Sequence, residues 1–264
     1  MLTKFYMAYL PHPTNNRLLN LLEATDEKSL LSHMQLIYLS EGETLFENGQ
    51  KLAYAYFPVS AVISMIVEPV GMIAIESATI RNEGVFGVPL LRDDHLTTRA
   101  NVQCEGYCYR VEVGLLQESI NRSDAFVEIL LKYLQLRMSK IAQMAICSRH
   151  HSVEQQLCRV LLNILDCLPD NTISITQHII ATKLNVRRES ITFHVGNLSR
   201  EGVINLKRGK IIVLDRSVLE KKCCECYQII ALETARLLPC SINHVSRLEV
   251  NKEPPEVFNN PLGA

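Results

Sequence analysis

The spacing of apolar residues changes once along this chain, near Ser123, and that change limits the fold more than any single motif. From Ile37 to Val113 the apolar residues come in short runs such as ETLFE, YAYFP, AVISMIV, MIAIESA, RANVQC and YCYRV. These runs are rich in Val, Ile, Tyr and Phe and are broken by Gly, Pro, Asn or Asp, which is the pattern of an antiparallel sandwich or roll. Asn48-Gly49, between ETLFE and LAYAYFP, predicts a hairpin, because a type I′ turn needs positive φ at both central residues.

After Ser123 the pattern becomes helical. Phe126, Leu130, Leu134, Ile141 and Ala145 form a stripe, while Glu128, Lys132, Arg137 and Lys140 fall mostly elsewhere. An apolar helix of that length exceeds what one small core can cover, so these five residues are expected to form a homodimer interface. Ser152-Val-Glu-Gln155 fits a capping box and opens a second helix, expected to run to about Cys167 before Pro169-Asp170-Asn171 stops it. The hinge between two domains is expected near Arg149 to His151. Upstream, Leu18, Leu19, Leu22 and Leu30 predict one or two short N-terminal helices.

At 264 residues and 47% apolar composition the chain can bury one large core or two ordinary ones. No apolar run reaches the roughly 18–20 residues of a membrane helix, and no leader pattern precedes the chain despite its nine cysteines. The expectation is a cytoplasmic protein in a reducing compartment, without a membrane partner.

Residues 176–216 carry the strongest local signal. With Gln177 as the first position of a helix-turn-helix, Ala181 falls fifth, Asn185 ninth and Ile191 fifteenth. Those positions need a small residue at the helix crossing, a residue tolerant of left-handed backbone, and a β-branched core contact. The same register turns Ile180, Leu184, Val186, Val195 and Leu198 inward. Arg187, Arg188, Glu189 and Thr192 then occupy the exposed start of the second helix, with Thr176, Gln177 and Ser190 beside them. Arginine pairs bidentately with guanine, and glutamate accepts from the cytosine amino group. INLKRGKIIVLD adds a hairpin whose tip carries Lys207, Arg208 and Lys210, suited to phosphates, so the unit reads as a winged helix-turn-helix for double-stranded DNA. The whole chain has 27 basic and 28 acidic residues, yet this segment holds eight basic and three acidic ones. The local charge supports a nucleic-acid partner that the total conceals.

With these parts in order, the chain resembles the Crp/Fnr family of transcriptional regulators over roughly residues 15–232. The resemblance rests on EGETLFENGQKLAYAYFP and EGVFGVPLL in the roll, the long helix, the capped helix, and VRRESIT in the winged unit. It implies an α+β chain with a β-roll sensor domain at 15–123, a dimerisation helix at 124–149 and a winged DNA-binding domain at 150–232. A flexible tail is expected over 239–264. The resemblance further implies palindromic operators, base reading by Arg188 and Glu189, and RNA polymerase as a partner if the protein activates. Phe193 stands where some members carry another basic reader, and His194 where the motif is usually apolar. Cyclic-nucleotide-binding members carry a Gly-Glu pair and an Arg-Ser/Thr-Ala run. Here Gly87 is followed by Val88, and the later run reads Thr98-Arg99-Ala100, which argues against cyclic AMP. Gly87 and Arg99 remain the candidates for contact with some other effector. The first cysteine is Cys104, so the N-terminal cysteines of iron-sulfur members are missing.

Cys223, Cys226, Cys240 and His244 have the spacing of a four-ligand zinc site, but free cysteines at a terminal helix also serve as small apolar residues, and the second reading is the expected one. An enzyme of the cupin type would need clustered histidines in the roll. Only His12, His33 and His95 precede residue 123, and no G-x-S-x-G, P-loop or H-E-x-x-H is present, so no catalysis is expected. A winged unit that docks another protein is the remaining alternative, disfavoured by the basic tip and Arg187-Arg188.

Overall fold

The computed structural model describes residues 11–23, 28–68, 75–88, 98–166, 168 and 170–239. A 3-10 turn at Pro13–Asn15 leads into two short helices, α1 (Arg17–Glu23) and α2 (Lys28–Ser32). Seven strands follow: β1 (Gln35–Leu39), β2 (Thr44–Phe46), β3 (Tyr54–Pro58), β4 (Val62–Val67), β5 (Ile75–Ile80), β6 (Arg99–Cys104) and β7 (Gly106–Glu112). They form two antiparallel sheets, ordered β1-β7-β3 and β2-β6-β4-β5. Side chains of both sheets, among them Phe46, Tyr56, Ile63, Ile80, Val102 and Cys108, close one core between them together with Phe86 from the loop after β5.

The turn at Asn48-Gly49 corrects an expectation. Only Gly49 has positive φ (83°), and the N–H of Gln50 donates to the carbonyl of Glu47 at 3.2 Å. Without a left-handed Asn48 the turn lacks the twist of a two-residue hairpin. The flanking strands accordingly part: β2 pairs with β6 and β3 with β7.

Helix α3 (Val113–Arg122) covers the end of β7, and α4 (Asp124–His150) follows at once. The Ser123 hydroxyl accepts from the Phe126 N–H at 3.2 Å, and Asp124 in the first turn with Arg149 and His150 in the last complement the helix dipole. Phe126, Ile129, Leu130, Tyr133 and Leu136 are buried against Leu18, Leu19, Leu22, Phe57 and Val111 in a second core.

Two residues of the expected dimer stripe are therefore misplaced in the sequence reading, since Phe126 is 1% and Leu130 2% exposed beneath the roll's own side chains. Steps of four residues advance about 40° beyond a full turn each, so a line drawn through 126, 130 and 134 winds from the roll toward the free side. The large apolar residues of α4 left uncovered are Leu131 (58% exposed), Met138 (72%), Ile141 (54%), Met144 (43%) and Ile146 (50%), with Leu134 half-buried and Ala145 exposed among them. Leu131, Leu134, Met138, Ile141 and Ala145 among them follow alternating steps of three and four residues, the spacing found in coiled coils.

The C-terminal part comprises α5 (Val153–Leu165), β8 (Thr172–Ser174), α6 (Gln177–Leu184), α7 (Arg188–Arg200), β9 (Ile204–Lys207), β10 (Lys210–Val213), α8 (Arg216–Lys222) and α9 (Cys226–Leu237). The capping box at Ser152 and Gln155 is present, and α4 gives way to α5 at His151-Ser152. Leu157, Leu161, Ile180, Ile191, Val195, Leu198, Ile211 and Leu219 form a third core. Helix α9, the terminal helix expected around the cysteines, runs to Leu237, past the expected domain end at residue 232. Its Tyr227 belongs to that third core, while Leu237 and the following Leu238 join the roll-side core, where Arg17 donates to the Leu238 carbonyl at 3.1 Å. Residues 240–264 of the expected tail, and Cys167 and Pro169 at the end of the capped helix, lie outside the described residues.

Candidate nucleic-acid interface

The hydroxyl of Thr176 caps α6, accepting from the Ile179 N–H at 3.2 Å. At the other end Asn185 adopts left-handed backbone (φ 51°, ψ 45°), and the Val186 N–H donates to the Ala181 carbonyl at 3.0 Å. A left-handed residue here ends α6 within one residue and lets α7 start at a steep angle. Ile191, Val195 and Leu198 bury one face of α7, and Val186 packs at the rim of the same core.

The other face of α7 is open. Arg187, its N-cap, and Arg188, Glu189 and Thr192 are exposed, and Ser190 is half-buried. The Thr192 hydroxyl donates to the Gln177 side-chain carbonyl at 2.7 Å, so the first turn of α6 is fixed against the start of α7. Phe193 projects 60% exposed, and its ring meets His194 edge-on at 5.2 Å. His194 turns inward, with Nδ1 3.8 Å from the Glu154 carboxylate and no hydrogen-bond partner among the described residues.

The wing is a hairpin of β9 and β10 with β8 completing a three-stranded sheet. Gly209 takes φ 73° at its tip, leaving Lys207, Arg208 and Lys210 exposed. Lys207 and Lys210 stand directly opposite each other in the ladder. Like charges so placed repel, and an anion between them relieves that cost.

Two of the eight basic residues in this segment point elsewhere. Lys183 is buried against Glu76 of β5, with the Thr79 hydroxyl 3.3 Å away, and burial lowers its pKa while Glu76 opposes the shift. Arg216 binds Asp166 and Glu220, each at 2.7 Å. Within residues 176–216, Arg187, Arg188, Lys207, Arg208 and Lys210 are exposed and form no ion pair among the described residues, and they lie on α7 and the wing.

The effector candidates do not converge. Gly87 (φ 86°) lies against β3 so closely that a Cβ there would meet the Tyr54 carbonyl at 2.8 Å. It also lines a cavity of about 170 Å³ with Met65, Phe86, Val88, Tyr133 and Arg137, which Arg99 does not reach. Arg99 instead pairs with Glu68 at 2.9 Å. A larger cavity of about 240 Å³, unforeseen from sequence, separates the roll from α5 and α9 and is lined by Arg81, Arg137, Lys140, Arg159 and Lys183. These cations come from four elements or loops remote in sequence, so no local pattern announces them.

The four residues of the zinc spacing are not all among the described residues. Cys240 and His244 lie outside the described residues, and Cys223 stands apart from the group that Cys226 joins. Cys226 instead gathers with Cys147, His151 and Cys224.

Residues 155–222 match the family model of the Crp-like helix-turn-helix domain. A putative Crp/Fnr transcriptional regulator from Eubacterium rectale superposes with a TM-score of 0.61 at 16% identity, covering 76% of this chain and 96% of its own. FixK2 from Bradyrhizobium japonicum gives 0.62 at 12% identity, over 72% and 98% of the two chains. A CRP-family regulator from Thermus thermophilus gives 0.58 at 18% identity, over 70% and 95%. No curated protein matches. At such identities the likeness is one of fold.

Proposed function

This chain has the fold of the Crp/Fnr transcriptional regulators and carries a Crp-like helix-turn-helix domain, and from that premise we propose that it binds palindromic double-stranded DNA as a homodimer and regulates transcription without catalysis. The observation that carries the proposal is the set of exposed cations without carboxylate partners on α7 and the wing. Arg188 and Glu189 reach base edges from the start of α7. Thr176, Gln177, Arg187, Ser190 and Thr192 surround them at the groove, and Lys207, Arg208 and Lys210 take phosphates. Phe193 offers its ring to a thymine methyl.

The dimer forms along α4 through Leu131, Leu134, Met138, Ile141 and Ala145. RNA polymerase is a partner where the protein activates. Cyclic AMP is not required: Val88 cannot accept a ribose hydrogen bond, and Arg99 is answered by Glu68. Among the described residues no helix is long and apolar enough to cross a membrane, and a cytoplasmic site of action follows from the DNA partner.

Selection of bound fragments from random-sequence DNA, followed by gel shifts, tests this. The selected site should hold inverted half-sites about 34 Å apart. Arg188→Ala should cost about 1–3 kcal/mol on that site and relax one base pair in each half. Lys207→Ala should weaken all sequences alike and lower the salt slope by about one unit for every phosphate left without its lysine. If no fragment is enriched, the winged unit docks protein and the proposal fails.

A further inference from the structure

We propose that Cys147, His151, Cys224 and Cys226 form a tetrahedral site for one divalent zinc ion, tying the end of α4 to the start of α9. Their ligand atoms all lie within 4.8 Å of one another. Cys147 Sγ is 3.6 Å from Cys224 Sγ, and Cys226 Sγ is 3.4 Å from His151 Nδ1. Zinc bonds of ~2.3 Å to sulfur and ~2.0–2.1 Å to nitrogen give a tetrahedron with edges of about 3.5–3.8 Å. The two short edges already have that length, and the remaining ones close by less than about one bond radius.

The local sequence places these groups for a reason. Cys147 and His151 are four residues apart at the last turn of α4, where the His151 N–H closes onto the Cys147 carbonyl at 3.2 Å, so both side chains leave on one face. Cys224 and Cys226 alternate across the short junction between α8 and α9 and meet that face from the other side.

The surroundings are those of a ligand set. His151 turns Nδ1 to the sulfurs and Nε2 to the Glu225 carboxylate at 3.0 Å, the arrangement in which a carboxylate fixes the tautomer of a metal-bound imidazole. The Gln143 side-chain amide donates to Cys226 Sγ at 3.1 Å, which offsets thiolate charge.

The packing explanation is weaker. Cys147, Cys224 and Cys226 form a buried cluster of their own, apart from the three larger cores, and the apolar side chain packed on it is Cys223. Apolar packing needs no imidazole nitrogen aimed at the sulfurs. A Cys147–Cys224 disulfide would leave Cys226 and His151 without a role. On binding, three thiols give up their protons to solvent, His151 enters neutral through Nδ1, and no electron is transferred.

The test uses the full-length chain, reduced, stripped with a chelator and freed of it by gel filtration. Zinc should then bind at one equivalent per chain, shield three thiols from a thiol reagent, and raise the melting temperature. Cobalt(II) should give the visible bands of a tetrahedral thiolate site, bleached by zinc. Cys147→Ser and Cys224→Ser should lose that spectrum, Glu225→Gln should weaken the metal about 10-fold or more, and Cys223→Ser should keep both spectrum and stoichiometry. Reduced wild-type protein that takes up no metal overturns the proposal, as does purification of the chain with Cys147 and Cys224 already oxidised to a disulfide, two hydrogen atoms lighter, or a Cys223→Ser chain that loses the site. None of these readouts depends on DNA, so failure here is distinct from failure of the DNA reading.

Discussion

Met138→Glu combined with Ile141→Glu should turn the dimer into monomers in sedimentation, with operator affinity falling by several orders of magnitude while the monomer stays folded. Both side chains lie on the free seam of α4, 72% and 54% exposed. In a symmetric helix pair each is covered twice, at about 1.5–3 kcal/mol per fully buried side chain. The double variant removes that gain and adds four carboxylates that repel across the seam. Phe126→Ala, one helix turn or more away and facing the roll, should behave oppositely. It should cost about 3–5 kcal/mol of folding stability through a cavity and leave the association of folded chains intact. A wild-type protein that sediments as a monomer, with or without DNA, rules out the seam as an interface.

Lys140→Met is expected to destabilise the fold by about 3–5 kcal/mol, measured by denaturant unfolding near neutral pH. Glu83 is buried between the roll and α4, with Lys140 Nζ at 2.6 Å and Arg81 Nε at 3.6 Å. Burial alone would raise its pKa, but the charges of Lys140 and Arg81 overcome it and hold the carboxyl at about 2, against an ordinary 4.5. Losing Lys140 leaves a buried carboxylate short of compensation. Adding Glu83→Gln should restore much of the loss, because the uncompensated charge is then gone.

The same shift fixes a pH dependence. With its folded pKa below the unfolded one, Glu83 contributes stability that is complete above about pH 4.5 and is lost as pH falls toward 2, by about 3 kcal/mol in all. In Lys140→Met this acid limb should flatten. An unchanged limb would mean that other carboxylates dominate acid unfolding.

The winged unit was legible because its determinants are local. Ala181, Asn185 and Ile191 must occupy fixed places relative to one another, and the spacing alone finds them. The exposed character of Arg187, Arg188, Glu189 and the wing tip follows from burying the rest. What depends on distant partners was not legible. Asn48-Gly49 marked a reversal of the chain but could not say which sheet each flanking strand would join. Lys183 looked like one more cation for DNA until β5 supplied Glu76 from more than a hundred residues away. The apolar residues of α4 belong to two faces, and only the roll's position shows that Phe126 and Leu130 are spoken for. The cysteine spacing near the C-terminus included Cys226, yet two of the three groups gathered around it, Cys147 and His151, come from the end of α4, and no linear motif joins residue 147 to residue 224.

Helix α9 also changes what motion the winged unit can have. A rigid body held at one flexible point can swing in any direction, as the chain crossing at His151-Ser152 would by itself permit. Packing α9 along α4, with Leu237 and Leu238 anchored in the roll-side core, adds a second attachment and leaves rotation about a single axis. The Lys183–Glu76 pair is a third attachment, between α6 and β5 and away from α9. The Arg81 guanidinium, which donates to the Asn163 carbonyl on α5, is a further link, so a swing of α7 relative to the roll requires these separated contacts to part together.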